Sequence, residues 1–496
     1  MTASVHAYIL GQAQKSYGDV EASDHPKELM SDIALAALED AGITPSSVDA
    51  VGCVDPLSWT YPDLAKNVAA DMGCKKDVRE FWLPGGGTTP QDLTHEISLA
   101  IDAGEIDIAV IFGAEAMRTR RKATRAGREL DWPARDKSIN AMRGQKPFTS
   151  EWEARHGLRL PIQSFPVLEN ALRTATGNSA EEQINLAAKL LHKNALVAEN
   201  NPHAWFQTAP SVEDISNVTA DNRMISYPYT KRMNAIMDVD QAAAIVIVSD
   251  KYLETSGKRS QAAAILGGAG AEEVWNPMQR RSLSTCIAME VAFNAALTSA
   301  GLSADDIDAF DFYSCFPIPV ELALNTLEIS PNDARSFSIT GGLAYAGGPG
   351  NNYVMHSLAT AVQHLRANQQ EKIMITGVGM ANTKHTATIL GSANNIPDEA
   401  TGATVYRLET GDEEVPIAKE ASGPCTIATY TIEYNREGEP VNVIYILDTA
   451  TRERAIANAK DPVGITPELL ARDPIGRSGE LIWDADVGQQ FFTLDH

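Results

Sequence analysis

The sequence predicts an α/β protein built from two similar halves, with a segment inserted into the first half and an all-β domain after them. Three observations predict this architecture: an internal repeat, two glycine-rich loops at equivalent places, and a change to alternating apolar and polar residues near the C-terminal end. Two halves of this kind are expected to pack together, with a binding site where they meet.

The repeat relates residues 33–53, IALAALEDAGITPSSVDAVGC, to residues 292–312, AFNAALTSAGLSADDIDAFDF. Seven of the 21 positions are identical without a gap. Each copy predicts a helix that ends at a glycine, Gly42 or Gly301, followed by a turn and an apolar strand. The shared positions continue past the helix into the turn, which favours duplication over a chance match of two alanine-rich helices.

Each half continues with a glycine-rich loop, a helix and a strand. The loop at residues 85–90 (GGGTTP) precedes a helix over 91–103, and the loop at residues 347–352 (GGPGNN) precedes a helix over 353–367. Backbone N–H groups at a helix N-terminus can bind an oxyanion or a phosphate, although glycines also serve simply to make tight turns. The candidate ligand-binding residues of these loops are Gly86, Gly87, Gly347 and Gly348.

Residues 118–235 interrupt the first half and are predicted to form an inserted loop domain. The segment begins within MRTRRKATRAGR (117–128), a basic stretch in a chain with a net charge of −24. Such a stretch is often only a solvated helix face, but it can also bind a polyanion as small as a nucleotide diphosphate. The candidate phosphate-binding residues are Arg118, Arg120, Arg121, Lys122 and Arg125.

Composition excludes several classes of protein. Lys and Arg total 41 against 65 Asp and Glu, which argues against nucleic acid as a partner. Five cysteines without a CxxC pair indicate a reducing compartment and no structural metal site. The N-terminal residues lack a basic stretch followed by an apolar one, and no apolar run approaches the length of a membrane span. We therefore expect a cytoplasmic protein without membrane insertion.

A candidate reactive stretch, Tyr313-Ser-Cys315-Phe-Pro317, follows the strand that is predicted near residues 307–312. Pro317 lacks a backbone N–H and ends the strand. Ligands of open α/β sheets bind at strand ends, so Cys315 is a candidate for chemistry. The alternative is that Cys315 is a small buried hydrophobic residue, as many cysteines are.

Residues 412–496 are predicted to form a separate β domain. Residues 425–434 and 441–447 read as two antiparallel strands, and Arg436-Glu-Gly-Glu-Pro440 reads as the hairpin turn between them.

These stretches together resemble the thiolase superfamily, most closely its sterol-carrier-protein-2-type and thiolase-like branches. The resemblance covers roughly residues 1–395. The similar motifs are PQDLTHEISLAIDAGEIDIAVIFGAEAM (90–117), NPHAWF (201–206), the run from ISYPYT to MDVDQAAAIVIVSD (225–250), YSCFPIPVE (313–321) and GGLAYAGGPG (341–350). The last domain resembles the OB-fold domain that is appended to thiolase-like proteins.

The resemblance implies a duplicated thiolase fold with four parts. These parts are an N-terminal half (1–117 plus 236–258), the inserted loop domain (118–235), a C-terminal half (259–400) and an OB-fold-like β domain (412–496). It also implies a possible homodimer through the thiolase core.

Most of the family's catalytic residues are absent from the matching positions. The nucleophilic cysteine falls on Gly87, the histidine of the family's GHP motif on Gly348, and the histidine of its HDCF motif on Tyr313. The HDCF cysteine is kept as Cys315. Because a glycine cannot be acylated, we expect the usual cysteine-dependent thiolysis or condensation to be absent or very weak.

The resemblance therefore leaves three functions open, all of which involve a coenzyme A thioester as substrate or ligand and no covalently bound cofactor. The first is an acyltransferase with rearranged chemistry. The second is an aldol lyase acting on a β-hydroxyacyl-CoA with Tyr313 or Tyr345 as acid or base, as implied by thiolase-fold aldol lyases of steroid side-chain breakdown. The third is a catalytically inactive acyl-CoA-binding protein of lipid metabolism. His356 and His385 are further candidate catalytic residues.

Overall fold

The computed structural model describes residues 6–18 and 21–495. Its strands are β1 (Ala7–Ser16), β2 (Ala50–Val54), β3 (Arg79–Trp82), β4 (Ile108–Ala116), β5 (Met224–Ser226), β6 (Tyr229–Thr230), β7 (Asp240–Ser249), β8 (Ala263–Glu272), β9 (Ala309–Asp311), β10 (Lys372–Gly379), β11 (Lys384–Ser392), β12 (Thr404–Glu409), β13 (Gly423–Tyr434), β14 (Pro440–Thr449), β15 (Arg454–Asn458), β16 (Ser478–Asp484) and β17 (Gln489–Leu494).

The helices are α1 (Pro26–Ala41), α2 (Leu64–Met72), α3 (Thr89–Asp102), α4 (Met117–Arg125), α5 (Glu151–Arg155), α6 (Pro161–Thr176), α7 (Ala180–Asn200), α8 (Val212–Ser216), α9 (Asp250–Ser256), α10 (Ile287–Ala300), α11 (Pro317–Thr326), α12 (Tyr353–Ala367) and α13 (Pro462–Ala471). Among the described residues, none of these helices is both long and apolar enough to cross a membrane.

The core is one mixed sheet that both halves of the chain build. Its strand order is β3-β2-β4-β7-β1-β8-β11-β10-β9, and β12 pairs with β8 beside this path. The halves join where Tyr8 and Ile9 of β1 pair with Ala264 and Ala263 of β8. The two halves therefore share a single sheet rather than packing as separate domains.

The duplication is visible in the order and direction of the strands. Outward from the junction the first half runs β1-β7-β4-β2 and the second runs β8-β11-β10-β9. In both halves the first two pairings are antiparallel and the third is parallel. The repeated helices α1 and α10 both end at a glycine with positive φ, Gly42 at 63° and Gly301 at 64°. A side chain is strained in this conformation, which explains the glycine in both copies.

Helices α3 and α12 follow the two glycine-rich loops and form a central layer. They contact each other, and each packs on strands from both halves of the sheet. Both are buried along most of their length, as a helix covered on all sides must be. Both helices therefore begin inside the protein. A ligand bound at their N-termini would contact backbone N–H groups away from bulk water.

The C-terminal strands close into a barrel. The order β13-β14-β15-β17-β16 returns to β13, and β15 and β17 are parallel whereas the other pairs are antiparallel. Helix α13 connects β15 to β16. This is the five-stranded closed arrangement of an OB-fold. The predicted fold class, a duplicated α/β core followed by a mainly β domain, is confirmed.

The inserted segment joins the barrel to the core. Strand β5 adds to the barrel sheet through Ser226 and Glu433. Asn170 of α6 donates to the carbonyl of Tyr430, and Thr429 donates to the carbonyl of Val167 on the same helix. Strand β12 lies between residue 400, where the C-terminal half was predicted to end, and residue 412, where the β domain was predicted to begin. It pairs with β8 and so extends the core sheet, not the barrel.

A buried pair of carboxyl groups also holds the insertion against the core. Glu169 on α6 and Glu321 on α11 are buried, and the side-chain amide of Gln183 on α7 donates to both. Tyr229 donates its hydroxyl to Glu169 and stacks on Phe316, which immediately precedes α11. Burial raises the pKa of both carboxyls, and the neighbouring carboxylate raises the pKa of Glu321 further. The pair therefore keeps a proton that exposed glutamates lose.

The stability of this junction should depend on pH. A carboxyl whose pKa is raised by folding stabilises the fold fully below its unfolded pKa, and that contribution is lost as the pH rises towards the folded pKa. Glu321→Gln should make the unfolding free energy fall less steeply as the pH rises above the ordinary glutamate pKa of about 4.3. Urea unfolding at several pH values measures this effect, with exposed Glu199→Gln as the matched control. An identical pH dependence for wild type and Glu321→Gln would contradict the shared proton.

Candidate active site

The first glycine-rich loop presents open backbone donors at the start of α3. Among the described residues, the N–H groups of Gly87 and Thr88 make no hydrogen bond. Both groups precede the N-terminus of a long buried helix, where the helix dipole favours negative charge. The loop can therefore donate to an oxyanion, the property expected of it from the sequence.

The space beside Gly87 is already filled. A Cβ atom on residue 87 would overlap the carbonyl oxygen of Val378 and would lie 2.6 Å from the hydroxyl oxygen of Tyr313. Real side chains do not tolerate contacts this short, so one of the two neighbours would have to move. The Tyr313 hydroxyl and the Val378 carbonyl therefore occupy the space that a side chain at residue 87 would need.

Tyr313 is fixed in this position by the surrounding core. Its backbone N–H donates to the side chain of Thr376 at 2.9 Å, and its ring meets the ring of Tyr353 edge-on at 5.5 Å. Its hydroxyl makes no hydrogen bond to any described residue. Burial, with a smaller contribution from Cys315, raises the pKa of Tyr313. The phenol therefore keeps its proton at neutral pH and can act as a proton donor.

Cys315 lies two residues further along, half-buried and not in a disulfide. Its carbonyl accepts a hydrogen bond from the N–H of Ala235 at 3.0 Å. Burial raises the pKa of the Cys315 thiol, and backbone N–H groups offset this only in part. A protonated thiol is a poor nucleophile, so Cys315 lies in the site without the activation that an acyl-transfer cysteine needs.

Tyr345 comes from the loop of the second half. Its hydroxyl donates to the carbonyl of Arg232 at 3.3 Å, and burial raises its pKa. This loop is tied to the Tyr313 loop because the N–H of Leu343 donates to the hydroxyl of Ser314. Residues 235–236 bridge the same two loops, since Ile236 donates to the carbonyl of Leu343. The structure therefore brings the Tyr313–Cys315 stretch and the Tyr345 loop together.

The second glycine-rich loop is closed by the protein's own contacts. Gly347 has a φ of 110°, and a Cβ there would overlap the side-chain oxygen of Gln241. The N–H of Gly348 donates to the carbonyl of Ile236 at 2.8 Å. The sequence suggested open donors in both glycine loops, but this N–H is already used.

The two candidate histidines have other partners. His356 contacts the side chain of Gln14 through Nδ1, and His385 lies 3.2 Å from the thiol of Cys286 through Nε2. Burial lowers the pKa of both imidazoles to about 3, so both are neutral at physiological pH. No hydrogen bond joins either one to the Tyr313–Cys315 stretch among the described residues.

The partners of His385 could not be predicted from the sequence. Cys286 donates its thiol to Glu273 at 3.1 Å, and Glu273 also accepts the N–H of Ala288 near the start of α10. These residues come from three distant segments with no local motif, so only the fold reveals the cluster. Among the described residues no group of His, Cys, Asp and Glu is arranged to hold a metal ion.

The basic stretch forms α4 and lines an open groove of about 410 Å³. We call this the α4 groove; its lining residues are Met117, Arg120, Arg121, Thr124 and Arg125. Asp238 pairs with Arg121 and Arg125, whereas among the described residues Arg120 donates only to the carbonyl of Ser58. Burial and the nearby Arg135 and Arg121 lower the pKa of Arg120. The groove therefore carries a surplus of positive charge.

The other two basic residues are placed differently. Arg118 pairs with buried Asp240 and donates to the carbonyl of Tyr17, which ties α4 to the sheet. Lys122 is exposed and is not among the residues that line the groove. The α4 groove lies near the second glycine loop, because a Cβ on Gly350 would overlap Glu115, two residues before α4.

Comparison with known proteins places this geometry in a class. Residues 410–485 match the thiolase-like protein type 1 additional C-terminal domain. A monomeric SCP2-thiolase like protein type 1 from Mycobacterium smegmatis superposes over 99% of both chains, with a TM-score of 0.81 and 27% identity. The Ltp2-ChsH2(DUF35) aldolase superposes with a TM-score of 0.60 and 20% identity, over 80% of this chain and 100% of that one. The fold is therefore a thiolase fold.

A curated relative extends the match. The steroid side-chain-cleaving aldolase of Thermomonospora curvata is 24% identical over 360 residues, which is 68% of this chain and 85% of the relative. Together these likenesses support a thiolase-like protein with an additional C-terminal domain.

Restoring the family's nucleophile should damage the protein instead of activating it. Gly87→Cys forces a side chain against Val378 and Tyr313, and overpacking of this kind costs about 1–3 kcal/mol. We expect a lower melting temperature and no gain in thiolysis of acetoacetyl-CoA. Gly86→Cys is the matched control, because a Cβ there has no neighbour closer than 3.6 Å. Equal stability of the two variants, or thiolase activity in Gly87→Cys, would contradict an occupied nucleophile position.

Proposed function

We propose that this protein cleaves a carbon–carbon bond in a β-hydroxyacyl-CoA by a retro-aldol reaction that forms no acyl-enzyme. The observation that carries the proposal is the hydroxyl of Tyr313, which lies 2.6 Å from the position of a Cβ on residue 87. A proton donor thus replaces a nucleophile beside the free N–H groups of the first glycine loop. The steroid side-chain-cleaving aldolase that the chain matches over most of its length supports the same reaction class.

The chemistry needs only proton transfers and an oxyanion site. The hydroxyl proton of the substrate leaves, the Cα–Cβ bond breaks, and its electron pair forms the enolate of the acyl-CoA product while the β-carbon becomes a carbonyl. The N–H groups of Gly87 and Thr88 would stabilise the enolate oxygen. Tyr313 would donate the proton that Cα takes up, and the hydroxyl proton of the substrate would pass through Tyr345 on the facing loop to Tyr313, so that both tyrosines end the reaction protonated.

Tyr313→Phe should abolish this reaction while leaving the fold intact. It removes one oxygen from a ring that stays packed against Tyr353, so cleavage of a β-hydroxyacyl-CoA should fall by about 100-fold or more. Cys315→Ala is the control in the same loop, and its activity should change less than tenfold. The aldehyde or ketone product gives the readout. Unchanged cleavage in Tyr313→Phe, or loss of activity in Cys315→Ala alone, would reject Tyr313 as the proton donor.

We propose the α4 groove as the binding site for the phosphates of coenzyme A. Arg120 and Arg121 lie together with too few carboxylates to balance them, and a phosphate would relieve their repulsion. We infer this ligand from the positive charge of the α4 groove and from the position of the groove near the second glycine loop.

Loss of the groove arginines should weaken binding of coenzyme A. Arg120→Ala and Arg121→Ala should each lower the affinity by about tenfold, since a charge-assisted hydrogen bond contributes about 1.5–3 kcal/mol. Lys122→Ala on the same helix is the matched control because Lys122 does not line the groove. Isothermal titration with coenzyme A measures the affinities. No binding by wild type, or equal losses in all three variants, would exclude the α4 groove.

The burial of Tyr313 and Tyr345 favours a second function, binding of an acyl-CoA without catalysis. Their side chains are only 6% and 5% exposed. A site this closed suits an acyl-CoA-binding protein without catalysis. Coenzyme A binding without cleavage of any β-hydroxyacyl-CoA would favour this function. The cytoplasmic location, the role in lipid metabolism and a homodimer through the core sheet stay proposals; the similar mycobacterial protein is monomeric.

A further inference from the structure

A second cavity lies at the junction of the barrel, the insertion and the core, on residues that the proposed reaction does not use. It has a volume of about 310 Å³, within the size range of small-molecule sites. We call it the junction cavity. Its apolar lining comes from three separate segments: Trp152 on α5, Met278 in the core, and Ile417 and Ile456 of the C-terminal part.

The apolar wall of the junction cavity is packed by residues of both the insertion and the barrel. The ring of Trp152 packs against His156 at 4.8 Å and Trp483 at 5.8 Å, so both the insertion and the barrel hold it. Met278 is buried, and its N–H donates to the carboxylate of Glu153. A wall of this kind binds an apolar chain or ring by removing it from water.

Several polar donors at the junction cavity have no partner. The indole N–H of Trp152 is buried without a hydrogen bond among the described residues. Lys419 lines the cavity, is exposed, and makes no ion pair with any described residue. Arg454, two residues before Ile456 on β15, does not line the cavity and pairs with Asp448 through Nε, but its Nη1 is buried without a partner among the described residues. Buried donors without partners are uncommon and invite an acceptor.

The carboxylate that lines the cavity, Glu153, and the nearby Glu414 both have hydrogen-bond partners. Glu153 accepts from the backbone and hydroxyl of Ser150 and from Met278. Glu414 accepts from the side chain of Gln279. Among the described residues that line the cavity, Lys419 is therefore the cation available to a ligand at the rim.

We propose that the junction cavity binds an amphipathic carboxylate, such as a medium-chain fatty acid. The apolar chain lies against Trp152, Met278 and Ile456, and the carboxylate meets Lys419. This site is separate from the α4 groove and the Tyr313 loop, and it gives the C-terminal barrel a ligand of its own.

Isothermal titration of the full chain with decanoate, below its micelle concentration, tests the proposal. We expect one site whose affinity falls about fivefold in Lys419→Met, the upper range for an exposed ion pair. Lys66→Met, an exposed lysine on α2, should leave the affinity unchanged. Decanol and decyltrimethylammonium should bind more weakly than decanoate. Saturating coenzyme A should not displace decanoate.

A second variant distinguishes a blocked cavity from a misfolded protein. Ile417→Trp places a large ring at a half-buried position on the cavity wall and should block decanoate without lowering the melting temperature. No binding by wild type, equal affinity in wild type and Lys419→Met, or displacement by coenzyme A would each overturn the proposal. Because none of these readouts uses cleavage, failure of the proposed lyase activity would leave this result unaffected.

Discussion

The close approach of Tyr313 and Val378 to Gly87 is the constraint on which the site depends. Protein interiors are packed to the density of organic crystals, so two side chains cannot share this space. Glycine at residue 87 makes room for the tyrosine, and the tyrosine in turn excludes any larger residue at 87. The two departures from the family pattern are therefore one physical change.

The electrostatics of the site follow from the same packing. Tyr313 and Cys315 are pushed towards their protonated forms by burial, and both candidate histidines are held neutral. None of these groups is a nucleophilic anion at neutral pH. The free N–H groups of Gly87 and Thr88 can still stabilise negative charge on a substrate oxygen. Such a site suits proton transfer around an enolate and does not suit attack on a thioester carbon.

Local sequence patterns predicted much of the fold because the signals that set it are local. The two helix-ending glycines, the alternating barrel strands and the loop–helix–strand order were all visible as patterns over ten to twenty residues. Strand β12 was not predicted, because its pairing with β8 joins segments far apart in the chain. The pairing of Ser226 in the insertion with Glu433 in the barrel was not predicted for the same reason.

The site was predicted only in part for a related reason. The sequence and its resemblance to thiolases named Tyr313, Cys315 and Tyr345 as candidate residues, and the bridge at residues 235–236 brings their loops together. The sequence could not reveal which hydroxyl would fill the space at Gly87, because that depends on the path of Val378 and Thr376 on a third segment. It missed the pair of Glu169 and Glu321 because two isolated glutamates carry no motif.

The mass of the intact protein after incubation with acetyl-CoA and with acetoacetyl-CoA, followed by acid quench, tests the central claim most directly. An occupied nucleophile position predicts an unchanged mass at every time point, because no thiolate is available to take the acetyl group. An added acetyl group that maps to Cys315 would contradict the account, since it would demonstrate an acyl-enzyme in a site that we describe as unable to form one.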